Sequence, residues 1–188
     1  MNDEVGRSHR AVERREQILD AASACFARDG FHGASIAQIS KQAGMSPGHI
    51  YHFFDNKEAI VRGIVERMAR RWLELLAPYP PERDVVVTVA ERAHIALTER
   101  SRPDFIGLWL EVLAEAARSH AVADAVNSAD QGIRNAVAQQ VRFIREMRGI
   151  HNDTSVDAIT EVVLGMYEGM TNRAVISRGF DSAAVEPV

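Results

Sequence analysis

The sequence predicts an all-α protein, and three observations carry that reading. Apolar residues recur three and four positions apart along most of the 188 residues, the period of one buried helix face. Between Ser35 and Lys57 the chain holds two helix starts and one helix stop in quick succession, each with its own capping residue. The β-branched run at 85–89 is continued by Ala90, Ala93, His94 and Leu97 at helical spacing, so the one candidate strand reads as helix as well. With caps and breakers placed, the chain divides into about eight or nine helices.

Residues 1–8 are polar and charged and are expected to fray. A first helix over 10–29 is signalled by Ile18, Ala22, Cys25 and Phe26 on one stripe, where Cys25 reads as a small core residue. Gly30 and Gly33 bracket Phe31 and His32 in the turn that follows. Ser35 with Gln38 makes a capping box, and Ile36, Ile39 and Ala43 give the next helix its apolar face. Gly44 supplies the left-handed residue that ends it. Ser46 caps a new helix, with Pro47 at the first position, where a missing N–H is no loss. This is a helix-turn-helix, and the first helix braces it into a three-helix headpiece over 1–57.

The second short helix, 47–53, is informative in what it leaves outside. Ile50 and Phe53, with Phe54 just beyond, supply the inward side, while Pro47, Gly48, Tyr51 and His52 face outward with His49 at the border. That face lacks the Lys and Glu of an ordinary solvated helix. Gly48 costs about 1 kcal/mol relative to Ala inside a helix, which makes sense where a base edge or phosphate must approach the backbone. Charge is permissive: the headpiece carries seven Lys/Arg and seven Asp/Glu, so the net −4 belongs to the remainder. Arg7, Arg10, Arg14 and Arg15 cluster at its start, and phosphate contact is local.

At these residues the sequence resembles the tetracycline-repressor (TetR) family of regulators. The resemblance rests on Ser35-Ile36-Ala37, Ala43-Gly44, Ser46-Pro47-Gly48, Tyr51-His52-Phe53-Phe54 and Lys57-Glu58, with Phe26-Ala27-Arg28-Asp29-Gly30-Phe31 upstream. It covers about the first quarter of the chain; Met45 stands where another apolar residue is usual. The resemblance implies a homodimer on a palindromic double-stranded DNA operator. Ser35, Ser46, Pro47, Gly48, His49, Tyr51, His52 and Arg14 are the candidate DNA contacts. Lys57 and the amides opening the fourth helix would face a phosphate, which suits a helix N-terminus.

The remainder, 58–188, reads as a helical ligand-binding and dimerisation domain. Asp55 or Asn56 caps a long helix reaching 77, with Ile60, Ile64, Val65, Met68, Trp72, Leu75 and Leu76 as its stripe. A tilt at Met68 or Trp72 would move Lys57. Pro78, Pro80 and Pro81 break the chain, and helices over 85–100 and 104–118 follow. On the latter, Phe105, Leu108, Trp109, Val112, Leu113 and Ala116 form the apolar face, and Glu111, Glu115 and Arg118 read as its solvated side. A helix over 120–148 closes at Gly149, and Asp153 or Thr154 caps the last one. Val126, Ile133 and Val137 on the first of this pair, and Val156, Ile159, Val163, Met166 and Met170 on the second, keep a heptad-like rhythm. Such seams suit a two-fold four-helix interface between two copies, and Gly165 and Gly169 would let a backbone come close. The tail 181–188 is expected to be disordered.

No apolar run reaches the length of a membrane span, and the N-terminus carries no apolar signal segment, so a cytoplasmic protein is expected. One cysteine excludes an internal disulfide, and the seven histidines form no ligand set, so no metal and no cofactor is expected. There is no phosphate loop or nucleophile elbow, which argues against an enzyme. The family resemblance implies an effector cavity among the middle helices. Met68, Trp72, Phe105 and Trp109 are its candidate lining, with His94 and Tyr167 as polar handles, and its ligand would be a small, largely apolar or aromatic molecule. The expected function is a ligand-responsive repressor; the alternative is a DNA-binding regulator, activator or architectural, without a ligand.

Overall fold

The computed structural model describes residues 2–77 and 84–177; the expected proline break at 78–81 and the expected disordered tail lie outside the described residues. Among the described residues there are eight helices and no strand: α1 (Asn2–Gly33), α2 (Ile36–Ala43), α3 (Pro47–Tyr51), α4 (Lys57–Leu75), α5 (Val85–Arg100), α6 (Pro103–Ala116), α7 (His120–Arg148) and α8 (Val156–Ile176). They form two compact units, Met1–Glu66 with Gly107–Val126, and Arg67–Ile106 with Asn127–Val188. This division does not follow the expected one at 57/58. The helices α4, α6 and α7 each begin in one unit and end in the other.

In the first unit, α1 begins at Asn2, so the segment expected to fray forms its opening turns. It also runs past Asp29, with a kink at Gly30 (φ 73, ψ 164) that a residue without Cβ accepts. The kink turns Phe31 inward, to 7 % exposure. Ile18, Leu19, Cys25 and Phe26 of α1, Ile39 of α2, Ile50 of α3, and Ile60 and Ile64 of α4 are all at most 1 % exposed. Burial of each large member contributes roughly 1.5–3 kcal/mol.

The caps read from sequence are present. Ser35 Oγ accepts the Gln38 amide at 3.2 Å, and Gln38 Oε1 accepts the Ser35 amide at 2.7 Å. Gly44 adopts φ 64 and ψ 34, and Ser46 Oγ accepts the His49 amide at 3.2 Å. Gln17 of α1 donates to the Ala43 carbonyl at 2.7 Å, fixing the end of α2. The helix α3 is shorter than expected, with His52 as its C-cap. The Ile50 carbonyl accepts from both Phe53 and Phe54 amides, which tightens and ends the turn. Asn56, one of the two expected caps, holds the start of α4 through the Ala59 amide at 2.8 Å.

In the second unit, α5 packs on α8. Buried Thr88, Thr160 and Thr171 each donate a hydroxyl to a carbonyl one turn back, those of Asp84, Val156 and Tyr167, which removes the penalty of an unpaired buried oxygen. Gln140 of α7 donates to the Leu76 carbonyl at 2.7 Å and Arg92 of α5 to that of Ala77, which satisfies the end of α4. Arg134 ties α7 to Glu161 of α8. Gly149 ends α7 at φ 60. The cap of α8 is Ser155, not Asp153 or Thr154; its Oγ accepts the Asp157 and Ala158 amides.

A Cβ at Gly63 of α4 would lie 3.0 Å from both Leu19 Cδ2 and Phe54 Cε1. The Gly63→Val variant is therefore expected to lose about 2–3 kcal/mol by overpacking, read as a lower urea midpoint.

Candidate nucleic-acid interface and effector site

The outward side of the helix-turn-helix is open. Ser46, Pro47, Gly48, His49, Tyr51 and His52 are all exposed, Tyr51 to 53 %, whereas Ile50 beneath them is fully buried. A Cβ built at Gly48 would meet nothing within 4 Å, so no packing within the chain calls for glycine there. The His49 and His52 rings stand 5.5 and 5.3 Å from the ring of half-buried Phe53, which orients both imidazoles. Ser35 and Ser46 are exposed, but their hydroxyls serve the caps described above. Arg14 is exposed and donates to Gln17 Oε1 at 2.9 Å.

Lys57 is placed differently. Its Nζ donates to the carbonyls of Phe31 and Ala34 at 2.5 and 2.8 Å and sits 4.4 Å above the Phe31 ring. Burial pushes the ammonium below the usual lysine range, against the opposing pull of Glu115. The residue expected at a phosphate is therefore engaged in closing the end of α1.

Glu111 and Glu115 correct the sequence reading outright. They do not form a solvated face. Glu111 Oε2 accepts the Phe31 amide at 2.9 Å, and Glu115, 4 % exposed, lies 3.5 Å from His32 Nε2. The signal was available: Leu108, Glu111, Val112 and Glu115 follow the three-and-four spacing of an inner stripe. The seam beside them, lined by Phe26, Phe31, Val61, Leu108, Glu111 and Val112, leaves no room for a water molecule.

Of the effector candidates, Trp72 and Phe105 meet in the second unit beside Arg100, which sequence reasoning did not select, and Tyr167 is near enough to act on its charge. Trp72 and Phe105 meet edge to face with centroids 6.2 Å apart. The Arg100 guanidinium lies 5.2 Å from the Trp72 ring and 5.8 Å from that of Phe105, and its Nε donates to Thr171 Oγ1 at 3.0 Å. Met68, one turn before Trp72, is half-buried. His94 is exposed on α5 and is corrected as a handle, because buried Ala96, two positions on, takes the inner face. Trp109 is half-buried and belongs to the first unit.

The expected dimer seam is partly consumed inside the chain. Val137 is 7 % exposed and so is buried here, and Val126, Ile133, Val156, Ile159, Val163 and Met170 are half-buried. Met166 is 61 % exposed and Val162 63 %. With Gly165 and Gly169, at which a Cβ would meet nothing within 4 Å, they form the open stripe of α8, which keeps Met166 of the expected seam and adds Val162.

Two family models match the chain. Residues 18–64 match the bacterial regulatory proteins of the tetR family, and residues 83–188 match the C-terminal domain of BetI-type transcriptional repressors. The HTH-type transcriptional regulator UidR of Escherichia coli K12 is 29 % identical over 164 residues, 85 % of this chain and 81 % of UidR. The HTH-type transcriptional repressor Rv1474c of Mycobacterium tuberculosis is 38 % identical over 126 residues, 60 % of this chain and 65 % of that protein. Among solved structures, Salmonella enterica GusR superposes with a TM-score of 0.73 at 25 % identity, covering 87 % of each chain.

The Lys57→Met variant is expected to lose about 2–3 kcal/mol of stability in urea, since two charge-assisted hydrogen bonds vanish. A variant as stable as the parent but weaker on DNA would return Lys57 to the phosphate contacts.

Proposed function

Because this chain belongs to the tetR family of bacterial regulatory proteins, we propose that it is a homodimeric repressor reading a palindromic operator and releasing it when a small, largely apolar or aromatic molecule binds the C-terminal domain. The observation that carries the DNA reading is the outward face of α3. Glycine occupies a helical position with open space beside it, flanked by exposed His49, Tyr51 and His52. A groove wall supplies the close neighbour that the chain itself does not. Tyr51 and the imidazoles then reach base edges and phosphates, and Arg14 approaches the backbone from α1.

Self-association follows from incomplete burial. Among the described residues, Thr160 alone of the largest fully buried side chains lies in the second unit. Phe143 and Met147 of α7 and Val162 and Met166 of α8 stay exposed in the single chain. A second copy placed by a two-fold axis covers this face and pairs the headpieces for two half-sites. Trp72 and Lys57 ride on one helix, α4, which gives an effector a mechanical route to the headpiece through its differential affinity for two arrangements.

A mobility-shift titration on DNA flanking the protein's own gene, with and without hydrophobic compounds, tests this reading. Palindrome-dependent binding that weakens with salt and is relieved by one compound class is expected; binding that no compound relieves leaves the ligand-free regulator. Tyr51→Ala should weaken specific binding by about 1–3 kcal/mol with fold and dimer intact, and unchanged specificity would remove α3 from the groove. Met166→Glu should give monomers in sedimentation and abolish operator binding together; a persisting dimer would place the interface elsewhere.

A further inference from the structure

Three arginines of the second unit, Arg71, Arg100 and Arg102, differ in one respect. Arg71 pairs with Glu99 at 2.6 Å, and Arg102 pairs with Asp104 at 2.7 Å. Arg100 has no carboxylate within 4.0 Å among the described residues. Its one hydrogen bond there uses Nε, leaving the terminal nitrogens of the fork without a partner. Glu168 and Tyr167 act on it only through the field, and burial pushes its guanidinium below the usual arginine range.

A half-buried cation of this kind is costly unless something compensates it. The rings of Trp72 and Phe105 do so in part, through their negative faces. They also hold the planar fork in one orientation, which is the preparation bidentate recognition of a carboxylate requires. Arg71 and Arg102 are each paired with a carboxylate, whereas Arg100, among the described residues, has none within 4.0 Å, and one positive charge of this kind suits a monoanion.

We propose that Arg100 is the anion-recognition residue of the effector site, and that the effector is an aromatic or aliphatic carboxylic acid. The rings of Trp72 and Phe105 would take its apolar body and the free Nη atoms its carboxylate. This rests on the ligand-responsive reading above, and it narrows a largely apolar ligand to an acid.

The test uses the full-length protein and matched probes: 4-phenylbutanoate and octanoate against their primary amides, by titration calorimetry. Each acid is expected to bind about tenfold or more tighter than its amide, and Arg100→Gln to bring that ratio to about one. Equal affinity for acid and amide in the parent overturns the inference, as does failure of both acids to bind at millimolar concentration. A second measurement needs no ligand. Arg100→Met keeps the volume and removes an unpaired charge, so its unfolding temperature should be unchanged or higher. A fall of more than about 5 °C makes Arg100 a structural brace and overturns the inference. Operator release is read separately. Acids that bind through Arg100 without releasing DNA uphold the site and sink the repressor mechanism, whereas amides that bind equally and release DNA do the reverse.

Discussion

The headpiece depends on how the end of α1 is satisfied. A helix terminus leaves carbonyls without intrahelical partners, and the kink at Gly30 puts this one beside a buried phenylalanine, where water cannot serve them. Lys57 answers the carbonyls of Phe31 and Ala34, Glu111 takes the Phe31 amide, and Glu115 supplies charge opposite the ammonium. So α1, α4 and α6 meet in a polar knot beside the apolar core of the first unit. Such a knot holds only as a whole, because loss of one partner leaves another buried and uncompensated. It also explains why residues of α6 from Gly107 onward belong to the unit of the helix-turn-helix.

Two glycines on neighbouring helices show how one residue type serves opposite ends. Gly63 admits Leu19 and Phe54 so closely that a Cβ would crowd both, and its reason lies inside the fold. Gly48 faces empty space, and among the described residues nothing packed around it asks for a glycine. Neither has a positive φ, so conformational freedom explains neither. The surroundings distinguish the two positions where residue type alone does not.

The two units differ in how completely they bury themselves. Among the described residues, the largest fully buried side chains all lie in the first unit except Thr160, although Val12, Tyr51, Leu110 and Leu113 stay exposed there. The second leaves a face of α7 and α8 exposed and keeps a guanidinium beside aromatic rings with, among the described residues, no carboxylate within 4.0 Å.

The sequence by itself determined the all-α class, the capping box at Ser35, the stop at Gly44, the restart at Ser46 and the outward set on α3. All are local: a cap, a left-handed glycine and a 3.6-residue period are decided within one or two turns. The stripe containing Glu111 and Glu115 was also present in the sequence, hidden because carboxylates are usually read as solvated. Only the tertiary structure decided that Lys57 closes α1, that Val137 is used up inside the chain while Val162 is not, and that Arg100 lies against the rings of Trp72 and Phe105. Those outcomes depend on which distant helix arrives at each face. A periodicity names the face that must be covered, but what covers it is settled by packing between residues far apart in the chain.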